Sequence, residues 1–271
     1  MHPQRKPELR NYLVFMNTKV KGYILGAVAA ATYGMNPLFT LPLYKEGMNP
    51  DSVLFFRYLF AIPILGIMLK ARGRSFSLKR KEILPLVILG WLVAISSLTL
   101  FQSYNYMEAG IASTILFVYP ILVALIMAVA FKEKITLQTV LCIFLALSGI
   151  GLLYKGGDGT TLSLVGVGLV MASALSYAIY IVGVNRPILK DVATLKVTFY
   201  VLLFGLSLFL VRVDFGQSLH VVDKWYLWGN LIALAIFPTA ISFLCTTQAV
   251  QYIGSVSYTH LRAHETRSNL V

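Results

Sequence analysis

Apolar runs of eighteen or more residues recur along almost the whole chain, and nothing else in the sequence constrains its fold as tightly. A helix rises 1.5 Å per residue, so about 20 apolar residues cross the roughly 30 Å hydrocarbon core of a bilayer. Eight such spans can be marked, at about 22–44, 51–70, 84–105, 109–131, 135–154, 162–183, 191–212 and 226–249. Turn punctuation separates them, as in "KEGMNPD" after the first and "KGGDGT" after the fifth. The connections are short, so no soluble domain is inserted. The predicted fold is an all-α polytopic membrane protein.

Composition agrees. The 271 residues are 58% hydrophobic and 13% charged, against about a quarter charged in soluble domains. The formal net charge of +12 would suggest nucleic acid in a soluble protein. Here the basic residues sit in short loops beside apolar spans, where they set orientation, so no nucleic-acid partner is expected. With the N-terminus in the cytoplasm, the inner segments hold Arg5, Lys6, Arg10, Lys19 and Lys21, then Lys70, Arg72, Arg74, Lys79, Arg80 and Lys81, and later Lys132, Lys134, Arg186 and Lys190. The outer side has only Lys45, Lys155, Arg212 and Lys224. Cys142 and Cys245 lie in apolar segments without metal-ligand neighbours, which argues against a disulfide framework.

Both ends of the chain carry expectations of their own. Residues 1–15 are basic and lack a long apolar core, so they do not read as a secretory signal. They read either as a cytoplasmic leader or as an extension upstream of a start at Met16.

Sliding the chain on itself by 144 residues, Gly22 onto Gly166, aligns three spans without a gap. Tyr33 then meets Tyr177, Phe55 meets Phe199, Phe60 meets Phe204, and Gly110 meets Gly254. Shared Leu and Ala mean little among apolar segments; Gly and Tyr pairs at one offset mean more. The first unit contains five spans. An odd number places the two units in opposite orientations, the inverted-repeat design of secondary transporters.

The "FFRYLFA" of the second span, the "YPILVALIMAVAFKEKIT" of the fourth, and the Gly–Tyr pattern opening each half resemble the drug/metabolite transporter superfamily, specifically its EamA-like members. The likeness covers residues 16 to about 255, and the combination with the repeat is its specific part. It implies ten spans in two inverted five-span repeats, residues 16–155 and 160–255 here. The substrate path would run between the halves, lined mainly by spans one, three, four, six, eight and nine. It also implies movement of small metabolites, amino acids or toxic compounds, often outward. Glu133 in "FKEKIT" fits the family's acidic residue between the fourth and fifth spans, as a cap and loop anchor.

This chain departs from the ten-span pattern after the eighth span. The repeat mate of "STILFVYPILVALIM" would be "SYTHLRAHETRSNLV", which a bilayer rejects, since a charge costs about 2.5–3.5 kcal/mol at a helix centre. "VSYTHLRAHET" resembles one translated frame of a transposase-end sequencing adapter over eleven consecutive residues. The expectation is that 256–271 are an assembly scar and two spans are missing. His260 and His264, spaced like a metal pair, then carry no chemistry.

Polar groups inside spans are costly and usually face a cavity or another helix. Arg57 is the one charge clearly inside a span, about 9 Å deep. It reads as an anion site or gating partner, or as a packing arginine that bonds carbonyls of a neighbouring helix. Gln102, Asn105 and Glu108 share a three-residue spacing at the end of the third span; its repeat mate ends with Thr246, Thr247, Gln248 and Gln251. Tyr33 and Asn36, and their counterparts Tyr177 and Tyr180, sit deep in the first and sixth spans, where hydroxylated rings suit a mixed cavity. Tyr119–Pro120 should kink the fourth span, as a gate or a static bend.

No Asp, Glu or His sits mid-span, so the usual groups of a proton relay are lacking. A GxxxxGK[ST] phosphate loop is absent as well, so ATP is not a direct drive. The reading is a multi-pass transporter of the bacterial inner membrane, an exporter or facilitator working by alternating access, monomeric or homodimeric. It needs no metal or cofactor and is not an enzyme. Its small-molecule substrate would be held by Tyr33, Asn36, Gln102, Asn105, Tyr177, Tyr180 and Gln248, with Arg57 and Pro120 as gating or anion candidates. The rivals are an organic-anion or phosphorylated-metabolite antiporter built on Arg57, and, from another class, a membrane-embedded transferase.

Overall fold

A computed structural model describes residues 5–132, 163–189, 191–249 and 252. Among these residues seven helices are long and apolar enough to cross a bilayer: Val20–Lys45, Pro50–Ala71, Arg80–Ser103, Ala109–Phe131, Leu164–Val184, Thr194–Arg212 and Trp225–Ala249. They are the expected first to fourth and sixth to eighth spans, and the described chain contains helices and turns but no strand. The expected fifth span and the 256–271 tail lie outside the described residues. Large side chains on the outside of the bundle are apolar, among them Ile67, Leu84 and Val129. In water that surface would be untenable; in lipid it is the solvated face.

Local chemistry explains where the helices start and break. Asn49 caps the second span by accepting from Ser52 N at 2.8 Å, with Pro50 at the first helical position. Lys79 N donates to Glu82 Oε2 at 3.0 Å at the start of the third. The first span is two helices, Arg5–Gly34 and Asn36–Lys45, joined at Met35. Pro37 has no N–H to give the carbonyl of Tyr33, so the ladder breaks there. The fourth span breaks likewise into Ala109–Leu116 and Tyr119–Phe131, ahead of Pro120. The eighth contains a π-helical stretch, Ala235–Ile241, around Pro238.

The third span packs on the sixth and seventh, the second on the seventh and on the π-helical stretch, and the first on the eighth. The 144-residue offset exchanges third with eighth, second with seventh and first with sixth. The third–seventh contact is therefore the image of the second–eighth contact. At the third–seventh crossing the backbones nearly touch: a Cβ on Gly90 would stand 2.7 Å from Val201 O, and one on Gly205 would stand 2.9 Å from Gly90 O. Ser96 and Ser173 hydroxyls, 3.0 Å apart, tie the third span to the sixth.

Ion pairs mark one end of the bundle. Arg212 meets Asp51 at 2.6 Å and Lys224 meets Glu46 at 2.6 Å. The Glu46 carboxylate, hydrogen-bonded to the ammonium, raises the pKa of Lys224. Two of the four basic residues expected on the outer side thus have acidic partners. At the other end the loop after the second span is held by Lys196 Nζ, which donates to Ser77 O, and by the Tyr200 hydroxyl, which donates to Phe76 O.

Candidate functional site

Tyrosines from three spans converge in the interior. The rings of Tyr33 and Tyr177 stack with centroids 6.2 Å apart and planes 26° from parallel. Tyr119, directly after the break in the fourth span, meets Tyr177 edge-on at 5.0 Å. Tyr180 lies 5.7 Å from Tyr177 and 6.2 Å from Phe243 of the eighth span. Its hydroxyl is 3.5 Å from Thr247 Oγ1, which itself donates to Phe243 O at 2.8 Å. Tyr177 and Tyr180 are buried, whereas Tyr33 and Tyr119 are half-exposed and form the open side of the cluster. Three-residue spacing explains the shape: Tyr177 and Tyr180 project from neighbouring positions on one helical face.

A second polar group surrounds the π-helical stretch. Pro238 cannot donate to the carbonyl of Leu234, and the Thr239 hydroxyl does so instead at 2.7 Å. Arg57 Nε then donates to Thr239 Oγ1 at 2.5 Å, and Arg57 Nη2 to Pro238 O at 3.2 Å. The guanidinium lies over the Phe101 ring at 5.3 Å. Arg57 is only 1% exposed, and its Nη1 has no hydrogen-bond partner among the described residues. Among the described residues Asn36, also 1% exposed, has neither amide atom bonded, and the Thr40 hydroxyl one turn on is unpartnered too. Phe39 stacks on Phe237 at 6.1 Å, which holds the second half of the first span against the same stretch.

The expected residues divide. Asn36, Arg57, Tyr177 and Tyr180 are buried and Tyr33 is half-exposed, and all five belong to these two groups. Gln102 and Gln248 are half-buried near their helix ends. Asn105 is different: the third span ends at Ser103, the turn after it breaks the helical spacing, and Asn105 and Glu108 are exposed. The shared face expected for Gln102, Asn105 and Glu108 therefore does not form. Pro120 is exposed beside the break it causes. Both readings of Arg57 keep support, since it bonds a neighbouring carbonyl and still has an idle nitrogen. Sequence reasoning missed Thr239, Tyr119 as a ring contact, and Phe243. The Pro–Thr pair in "FPTAISF" was the available signal for the first, because a mid-span proline always leaves a carbonyl for something to satisfy.

The fold and site define a polytopic helical membrane protein whose broken spans and polar interior groups meet at its centre. The profile of the EamA-like transporter family matches residues 20–155 and again 164–262, and the two matches start 144 residues apart, the offset of the internal repeat. The chain belongs to that family and is a membrane transporter. It is 25% identical over 226 residues to the uncharacterized transporter YyaM of Bacillus subtilis, covering 80% of this chain and 74% of that one. It is 24% identical over 229 residues to an uncharacterized transporter of Archaeoglobus fulgidus, covering 83% and 79%. A solved structure known only as "Crystal structure of protein" superposes with a TM-score of 0.66 at 20% identity, over 85% of this chain and 79% of that one.

Proposed function

We propose that the chain exports or facilitates passage of a small metabolite by alternating access, with substrate held between the two halves at the tyrosine cluster. The observation that carries this reading is the stack of Tyr33 on Tyr177. These residues correspond at the repeat offset and come from the two halves, so a path along the seam must pass them. The breaks in the first and fourth spans support it, because each places a bendable joint beside a cluster tyrosine. Asn36, Tyr180, Gln102 and Gln248 supply polar contacts around the rings, and Pro120 marks the gate. The protein works in a bacterial inner membrane with its N-terminus in the cytoplasm, alone or as a homodimer, and without a cofactor. The absence of mid-span acids and histidines from the sequence favours transport over a metal-dependent transferase reaction.

An export profile tests this reading: the metabolites released by cells with and without the gene, repeated with Tyr177→Ala at matched membrane levels. A released compound that depends on the gene and on Tyr177 is expected. Release unchanged by Tyr177→Ala overturns the placement of the path.

A further inference from the structure

Among the described residues Arg57 is a buried cation without a counterion. The two ion pairs among the described residues occupy Asp51 and Glu46 at one end of the bundle, and Glu82 bonds a backbone N–H at the start of the third span. The face of Phe101 lies 5.3 Å from the guanidinium, and a ring quadrupole offsets only part of a full charge. Burial of an unpaired charge is among the costliest arrangements a protein tolerates, and inside a span it ordinarily marks a function. Arg57 also keeps donor capacity: Nε and Nη2 are engaged, Nη1 is idle. Asn36 offers a further donor and acceptor, unbonded among the described residues, one turn from Phe39, whose ring stacks on Phe237 next to the Pro238 carbonyl that accepts from Arg57. Arg57 comes from a span packed on the π-helical stretch, and the helix that starts at Asn36 meets that stretch through Phe39 and Phe237.

We propose that Arg57 and Asn36 receive a carboxylate, so that the substrate is a small organic monoanion whose apolar part packs on Tyr33, Tyr119 and Tyr177. This inference rests on the transport reading above. The charge count selects the class. One guanidinium neutralises one negative charge; a phosphate dianion would leave a charge uncompensated among apolar helices. A neutral solute would leave Arg57 unpaired throughout the cycle. Nη1 donates to one carboxylate oxygen and the Asn36 amide to the other, and the tyrosine rings accept the remainder of the molecule.

The test uses the full chain in nanodiscs of phosphatidylcholine, which carries no net charge. Benzoate, its neutral isostere benzamide, and phenyl phosphate are titrated separately. Benzoate is expected to bind about tenfold or more tightly than either of the others, the weight of one charge-assisted hydrogen bond. Arg57→Met is expected to remove that preference. Asn36→Leu removes no charge and carries the test should Arg57→Met fail to fold; it weakens benzoate more than benzamide, because the lost hydrogen bond is charge-assisted only for the carboxylate. Benzoate binding no better than benzamide, stronger binding of phenyl phosphate, or a preference that survives both substitutions overturns the proposal and makes Arg57 solely a tie for the π-helical stretch. Export in the Tyr177→Ala variant separates the two readings. If it is lost while benzoate and benzamide are equal, the path stands and the carboxylate falls. If it is normal, the path itself is overturned.

Discussion

Tyr33 and Tyr177, 144 positions apart in the sequence, stack on each other with ring centroids 6.2 Å apart. Tyr119 and Tyr180 gather round this contact, both against the ring of Tyr177.

Replacing Tyr177 with alanine removes contacts to Tyr33, Tyr119 and Tyr180 together. Aromatic pairs contribute about 0.5–1.5 kcal/mol each beyond area, so substrate export should fall about tenfold or more. Tyr177→Phe keeps the ring and should retain most of the activity. Initial export rates at matched protein levels provide the comparison, and equal losses in both variants would assign the role to the hydroxyl instead of the ring.

Thr239 satisfies the carbonyl freed by Pro238 and accepts from Arg57 with the same oxygen. Thr239→Val keeps the shape and deletes both bonds. It should destabilise the protein by about 1–3 kcal/mol, the cost of leaving a buried polar group unsatisfied. Thr239→Ser should restore most of this. Thermal unfolding in detergent reads the difference; equal midpoints for the valine variant and the parent would refute the bridging role.

The approach of Gly90 to Gly205 leaves no room for a methyl group against backbone atoms. Gly90→Ala should therefore cost about 1–3 kcal/mol by forcing the third and seventh spans apart. Gly168→Ala, which meets nothing within 4 Å, serves as the control and should be neutral or mildly stabilising. A neutral Gly90→Ala would mean that the crossing is looser than described.

Glu108 is the acid closest to a span interior by sequence, and it is exposed at the start of the fourth span. Glu108→Gln should leave transport and its response to a pH gradient unchanged. Measurement in reconstituted vesicles decides: loss of gradient-driven accumulation in that variant would show coupling through this carboxylate.

Much of the architecture was legible because a bilayer imposes one rule, long apolar helices, on every segment that crosses it. Val20–Lys45 and Pro50–Ala71 fall within a few residues of the expected 22–44 and 51–70. Tyr33 and Tyr177 could be singled out because tyrosine is rare enough for a match at a fixed offset to mean something. Asn105 was misplaced for a local reason: helical spacing was carried past Ser103, where the helix had already ended. The contact of Arg57 with Thr239 could not be read, because the two residues are 182 positions apart and only packing brings them together. The broken first span was readable in part, since Pro37 announces a break without saying which side chains end up beside it.

At the repeat offset Arg57 has Val201 as its counterpart, an aliphatic residue that is equally buried. The halves share a pattern of span packing yet offer opposite surroundings at this one position, a cation in one and hydrocarbon in the other. On the reading proposed above, a guest with a charged head and a greasy tail would lie across the seam in one direction only. Polarity would then be built into a body assembled from two look-alike parts, whichever face of the membrane is open.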